Sequence, residues 1–164
     1  MIRVLSIILA TLLSCYVLVV AFFFRDVKED GLCEGMEIVL RDSLEKHFVT
    51  DGDLVYLLKQ AKLYPVKTPM NEINTEEIEE KLLSNNMISK VEAYKTPSRL
   101  IKLEIEQKMP ILRVNSPAGN YYVDNLGSMM PLSRHYVAHV LVASGQIDEK
   151  LALGDLYKFA LFLE

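Results

Sequence analysis

The stretch KVEAYKTPSRLIKLEIE, residues 90–106, decides the fold class of this chain. Apolar residues alternate with polar ones on both sides of a Thr-Pro-Ser turn at 96–98, as in two strands that each have one dry and one wet face. A hairpin of this kind needs a second layer to cover its dry face. The sequence therefore predicts a β-hairpin inside a two-layer α+β domain.

The residues upstream of the hairpin supply that second layer. Apolar residues fall on alternate positions from 36 to 40, which predicts a strand. Thr50 begins a predicted helix with a capping box in which Asp replaces Glu, and Pro65 would stop it. Asn74 caps a second predicted helix. The predicted order over residues 36–108 is strand, helix, helix, strand, strand, with both helices on one face of a three-stranded sheet.

A second, β-rich region follows residue 109, where a Met-Pro pair breaks the pattern. Short strands are predicted at 111–114, 121–123 and 137–143, and a helix at 151–163. We therefore expect residues 109–164 to form a partial β domain with a terminal helix.

The longest apolar run lies at the N-terminus. Residues 4–24 carry no charge, and a helix of that length is about 30 Å long, which matches the hydrocarbon core of a bilayer. Charged residues stand at both ends of the run. We predict a transmembrane anchor in a lipid bilayer, represented by Val4, Leu5, Ile8, Leu12, Val17, Val20, Phe22 and Phe24.

Two other kinds of N-terminal segment compete with an anchor. A cleaved signal peptide has an apolar core of about 7–15 residues and a small-residue cleavage site, and this run fits neither. The sequence Leu-Leu-Ser-Cys at 12–15 resembles a lipobox, but the residues after Cys15 stay apolar where a lipoprotein would begin a polar tether. An uncleaved anchor therefore fits best.

The positive charges on the two sides of the anchor nearly balance, so the charge rule alone leaves the orientation open. The side before the anchor, residues 1–3, has almost nothing to translocate, which favours an inside N-terminus. Residues 25–35 are polar and predict a juxtamembrane linker to the domain at 36–108.

Composition and motifs argue against several classes of function. The net charge of −4 is spread without a basic patch, so nucleic acid is not an expected partner. Cys15 and Cys33 cannot pair across a membrane boundary. His135 and His139 have the spacing of a helical metal pair, but their segment reads as extended and no third ligand is placed. We expect no catalytic, cofactor or metal residues and no small-molecule substrate. A free edge of the hairpin could instead accept a strand of another chain.

Seven phrases along the chain resemble the FtsQ/DivIB family of bacterial cell-division proteins, whose first module outside the membrane is a POTRA domain. They are HFVT at 47–50, INTEEI at 73–78, NNMISKVE at 85–92, YKTP at 94–97, KLEI at 102–105, KMPI at 108–111 and YVDNLG at 122–127. Their order is more specific than any one of them, and the wording is closest to the Bacteroides-type branch.

The resemblance implies a bitopic inner-membrane protein with its N-terminus in the cytoplasm and its bulk in the periplasm. Such a protein acts at the septum as a divisome scaffold, without catalysis, and binds FtsB and FtsL. Residues 36–108 would be the POTRA-like domain. The strand-turn element supplies candidate partner-binding or turn residues, namely Tyr122, Asp124, Asn125 and Gly127.

The late strands with which family members bind FtsB have no counterpart before Glu164, so the chain is either a fragment of a longer product or a variant that has lost this contact. For this chain we expect weak or absent FtsB binding. The alternative to the scaffold is a membrane-anchored POTRA-like module of an envelope assembly or secretion system.

Overall fold

The computed structural model describes residues 2–23, 31–41 and 48–163. The chain divides into two units, residues 1–30 and 31–164. Phe24, the first residues of the predicted linker and His47 lie outside the described residues.

The first unit contains one helix, α1, at Ile2–Phe23. Seven of the predicted anchor residues lie within its bounds, and the side chains of Leu12 and Val17 are exposed. Over the part of the chain that the structure describes, no helix was found that is long and apolar enough to cross a membrane. The anchor therefore stays a prediction.

The second unit begins with the predicted β-α-α-β-β order. Its elements are β1 at Gly35–Leu40, α2 at Asp51–Gln60, α3 at Thr75–Leu83, β2 at Ile88–Lys95 and β3 at Leu100–Gln107. The strands form one sheet in the order β1-β3-β2. The hairpin strands β2 and β3 are antiparallel, whereas β1 runs parallel to β3. The two helices carry the chain from β1 to the opposite edge strand β2, and the hairpin then returns it as β3 in the middle of the sheet. The predicted α+β architecture is confirmed.

Both predicted helix caps form. The Thr50 side chain accepts a hydrogen bond from the Asp53 N–H at 3.3 Å, and the Thr50 N–H donates to Asp53 Oδ2 at 2.9 Å. Asn74 Oδ1 accepts from the first turn of α3, at 3.1 Å from the Glu76 nitrogen. The prediction that Pro65 stops α2 is wrong by a turn.

The α2 helix ends at Gln60 because Lys62 adopts a left-handed φ of 59°. The Leu63 N–H then bonds back to the Leu58 carbonyl at 2.9 Å, and Lys62 N–H bonds to the Lys59 carbonyl at 3.1 Å. This pair of bonds closes a helix C-terminus without proline.

The two helices cover one face of this first sheet. Leu54, Leu58, Ile78 and Leu82 are buried on the helices, against the fully buried Leu103 of β3. Each such side chain stabilises the fold by about 1.5–3 kcal/mol relative to an exposed one. The alternation seen in the sequence is thus the division between a dry core face and a charged outer face.

A second sheet follows. Its strands are β4 at Pro110–Ser116, β5 at Gly119–Asp124, β6 at Met129–Met130 and β7 at Leu141–Ser144, in the order β6-β5-β4-β7 with β7 parallel to β4. The predicted strand at 137–143 is therefore largely wrong. Residues 131–140 instead form an irregular segment without ladder pairing, bent at residues 134 and 135, which we call the strap.

The terminal helix covers one face of the second sheet. It consists of α4 at Glu149–Leu151, a π-helical segment at Ala152–Leu156 and α5 at Tyr157–Leu163. The helical period of residues 151–163 predicts an apolar stripe of Leu153, Leu156, Ala160 and Leu163. This prediction is wrong in part, because the wider π turn shifts the buried face. Ala152 and Ala160 pack against the sheet, whereas Leu163 of the predicted stripe is largely exposed.

Candidate partner-binding surfaces

The predicted strand-turn residues lie at the end of β5 and in the turn to β6. Asp124 is 1% exposed, and its Oδ1 accepts hydrogen bonds from the N–H groups of Leu126 and Ser128 at 2.9 and 2.7 Å. The Lys108 ammonium lies 3.4 Å from its Oδ2. The carboxylate is thus enclosed, and it ties the end of the first sheet to the start of the second.

Gly127 has a positive φ of 76°, and a Cβ there would lie 3.3 Å from the Tyr157 ring. The Tyr157 hydroxyl donates to the carbonyl of Asn125 at 3.0 Å. The turn therefore packs against the terminal helix, and Asn125 with its exposed neighbour Leu126 faces outward.

Tyr122 belongs to an aromatic junction between the two sheets. The Phe48 ring meets the Tyr122 ring edge-on at 6.3 Å and the Tyr136 ring at 4.9 Å. The Tyr122 hydroxyl accepts a hydrogen bond from the Ala138 N–H at 3.1 Å. Because Phe48 precedes α2, Tyr122 is on β5 and Tyr136 is on the strap, three distant parts of the sequence share one apolar cluster.

The strap is held by polar contacts as well. Ser133 Oγ donates to the Phe48 carbonyl at 2.8 Å, and His135 Nε2 lies 3.1 Å from Asp53 Oδ2 at the start of α2. The pKa of the Asp53 carboxyl is lowered, chiefly by hydrogen bonds from Thr50 and to a lesser degree by His135. These contacts fix the strap across the face of the first module.

Two clefts flank the strap. One, of about 310 Å³, lies between the strap and α2 and has His135 on its rim. The other, of about 280 Å³, is lined by His139, Met109 and Tyr136. The two histidines therefore face different clefts. Among the described residues, no group of three or more His, Cys, Asp or Glu side chains could hold a metal ion.

The outer face of the first sheet carries a network of ion pairs. Arg41 is paired with Glu104 and lies 3.8 Å from Glu92 and 3.7 Å from Glu106. Tyr94 donates to Glu104 at 2.6 Å, which is the main reason that the pKa of Glu104 is lowered. Such exposed ion pairs contribute little to stability, but they make the outer face of the sheet polar, so that it stays in contact with water.

Both edges of the first sheet carry features that oppose the addition of another strand. On β2, the Ala93 N–H donates to the Glu79 side chain of α3 at 2.7 Å. The free hairpin edge expected from the sequence is therefore occupied at its centre by a side chain. On the opposite edge, β1 carries the exposed Glu37 and is followed by Arg41. Charges of this kind discourage the addition of another strand.

One edge of the second sheet, the outer side of β7, has no such feature among the described residues. β7 borders β4 on one side, and no described strand borders it on the other. Leu141 is 37% exposed and Val142 is 55% exposed, on opposite faces of the strand. Sequence reasoning missed this surface, although residues 140–143 form a continuous apolar run, which is typical of an interior strand.

Comparisons with known protein families agree with the division into two sheets. A family model described as a POTRA-like domain matches residues 31–106. A model described as FtsQ/DivIB, C-terminal related, matches residues 109–164. A search among curated proteins found no match.

Proposed function

Since the chain belongs to the FtsQ/DivIB family, we propose that it is a cell-division scaffold that works by binding other proteins and catalyses no reaction. The observation that carries this proposal is the direct fusion of a POTRA-like module to an FtsQ/DivIB C-terminal-related sheet. The aromatic junction of Phe48, Tyr122 and Tyr136 joins the two, so that partners bound to either would be held in a defined relation.

We propose that α1 anchors the protein in the inner membrane as a single pass, with the N-terminus in the cytoplasm and residues 31–164 in the periplasm at the septum. The uncharged run at 4–24 supports the anchor, because its length as a helix suits a bilayer. The lipid bilayer and division proteins such as FtsB and FtsL are the proposed partners, and because residues 109–164 form only a partial β domain, we expect the binding of FtsB to be weak or absent.

The alternative, an anchored POTRA-like module of an envelope assembly or secretion system, shares the first module but not the second. The match of residues 109–164 to the FtsQ/DivIB C-terminal-related model favours the division scaffold.

The proposal is tested by fusing a fluorescent protein ahead of Met1 and imaging dividing cells. A band at midcell is expected. A matched chimera, in which residues 4–24 are replaced by an unrelated membrane helix, should keep the band if residues 31–164 direct recruitment. Even staining around the envelope by the unaltered fusion would contradict the scaffold.

Two-hybrid pairing against FtsB and FtsL separately tests the partners. An unrelated single-pass protein of the same topology serves as the control. Signal with neither protein, from a fusion that still forms a midcell band, would contradict these partners and leave the septal role in place.

A further inference from the structure

The end of the first module at which the chain enters it is built from three segments. They are residues 31–34, 59–72 and 95–99, which we call the basic end. The Cys33 N–H donates to the Thr68 carbonyl at 2.9 Å, and the Glu34 N–H donates to the Arg99 carbonyl at 2.9 Å. The entering segment thus joins the loop after α2 and the hairpin turn into one surface, which lies within the residues that match the POTRA-like model.

The basic end differs in charge from the chain as a whole, which has a net charge of −4. Its three segments carry five positive residues and two negative ones, namely Lys59, Lys62, Lys67, Lys95 and Arg99 against Glu34 and Glu72. Lys62 and Lys67 are exposed in turns with left-handed φ values of 59° and 70°. Glu34 is paired with Arg99. The surface is therefore positive in an otherwise acidic protein.

Apolar side chains lie among these charges. Leu32 is 54% exposed, although its backbone forms a bridge with Pro69. The Tyr64 ring is partly exposed, and the Lys59 ammonium lies 4.8 Å from its centre. Exposed lysines beside aliphatic and tyrosine side chains suit the surface of a bilayer, where ammonium groups meet anionic headgroups and amphipathic rings lie at the level of the headgroups.

The proposed anchor brings a bilayer within reach of this surface. The uncharged run ends at residue 24, and seven residues later the chain arrives at Gly31. Seven residues of fully extended chain span about 25 Å at most. So short a tether gives the basic end a high effective concentration at the membrane surface, and a weak attraction for each lysine is then enough to hold it there.

We propose that the basic end docks on the anionic phospholipid headgroups of the membrane that holds the anchor. The inference rests on the anchor in the proposed function and adds a second, electrostatic contact to it. Each lysine that meets the surface strengthens the attachment about fivefold. Because this attraction falls off within a Debye length, salt weakens it. Docked in this way, the first module has one defined orientation to the membrane.

Fluorescence quenching in nanodiscs tests the docking with the full chain. The variant Asn71→Cys, in a Cys15→Ser background, carries a fluorophore beside the basic end, and the discs contain a lipid with a spin-labelled headgroup as quencher. Cys33 can stay, because its side chain is 1% exposed. The matched control is Asn86→Cys. Both asparagines are exposed, but Asn71 precedes α3 and Asn86 follows its other end, about 13 Å further along the helix axis.

We expect strong quenching of the probe at position 71 in discs that contain phosphatidylglycerol. Discs of phosphatidylcholine alone, or roughly 0.5 M salt, should relieve it. The probe at position 86 should be quenched several-fold less in all discs. Equal quenching at the two positions, or quenching at position 71 that does not depend on phosphatidylglycerol, overturns the proposal.

Charge reversal supplies the second test. Lys62→Glu combined with Lys67→Glu should lower the ratio of docked to undocked protein roughly fivefold or more. The control, Lys150→Glu combined with Lys158→Glu, makes the same change in net charge at exposed residues of the terminal helix and should leave the quenching unchanged. Thermal unfolding shows whether the reversed variant is folded, and the milder pair Lys62→Gln and Lys67→Gln replaces it if it is not. Unchanged quenching in a folded variant contradicts the docking.

Retention of the chain by the discs during a high-salt wash reports on the anchor separately. A chain that washes off contradicts both the proposed anchor and the docking that depends on it. A chain that stays, with the probe at position 71 unquenched, overturns the docking alone and leaves the anchored scaffold in place.

Discussion

The two sheets of this protein treat their edges differently. In the first sheet, a side chain from α3 caps an amide of β2, and charges flank β1. In the second, no described residue caps the outer side of β7, and the strand is uncharged and exposes apolar side chains. Both sheets have a covered core face, so burial alone does not explain the contrast. Among the described residues, the first module therefore has both sheet edges protected against strand addition, whereas the outer side of β7 in the second sheet is unpaired.

The largest expected effect on stability comes from the aromatic junction between the two sheets. Phe48→Ala removes a ring that contacts Tyr122 and Tyr136, and it should lower the free energy of unfolding by about 3–5 kcal/mol. Because the ring is shared, chemical denaturation followed by circular dichroism should show one transition at lower denaturant. Two separate transitions in the unaltered protein would show that the sheets unfold independently and that the junction does not couple them.

The hydrogen bond between Ala93 of β2 and Glu79 of α3 provides a test with a smaller expected effect on stability. Glu79→Ala leaves the Ala93 N–H without its partner, at a cost of about 1–3 kcal/mol. Hydrogen exchange at Ala93 should accelerate in the same variant. Glu80→Ala, an exposed neighbour on the same helix, is the control and should change little. If both variants behave alike, Glu79 does not guard the edge of β2.

The smallest expected effect is a pH dependence at the start of α2. The pKa of Asp53 is lowered in the folded state, mainly by hydrogen bonds from Thr50. Its contribution to stability is therefore fully present above the ordinary carboxyl pKa, near 3.9, and is lost as the pH falls through the lowered value. Because the side chain is 45% exposed, screening keeps the contribution at about 1 kcal/mol or less.

Denaturant unfolding between pH 5 and pH 2 measures this effect, because the loss falls below the ordinary carboxyl pKa. Asp53→Asn should flatten the acid limb of the stability profile, whereas Asp51→Asn, in the same turn, should follow the unaltered protein. An unchanged acid limb in Asp53→Asn would place the pH dependence elsewhere.

The elements of the first module could be predicted because their signals are local. Side chains alternate with period two along residues 101–105, and Thr50 and Asn74 each cap a helix within three residues of their own position. Such signals need no knowledge of the rest of the chain. The sheet order β1-β3-β2 was not predicted, because the strand that inserts beside β1 is decided by contacts between segments far apart in sequence.

The strap and the edges could not be predicted in the same way. Residues 137–143 carry the composition of a strand, but in the strap Ser133 bonds to Phe48, which is 85 residues away in sequence, and Tyr136 packs on the same ring. Those contacts draw the segment away from the ladder and leave only Leu141–Ser144 paired with β4. The occupation of the β2 edge by Glu79 likewise depends on where α3 lies.

The sequence by itself determined the α+β class, the caps, the hairpin and the uncharged N-terminal run, because periodicity, capping and charge act over a few neighbouring residues. Only the tertiary structure decided which strand edge is closed and which is open. That decision depends on groups far apart in sequence meeting in space: Glu79 reaches Ala93, and nothing among the described residues reaches the outer side of Val142.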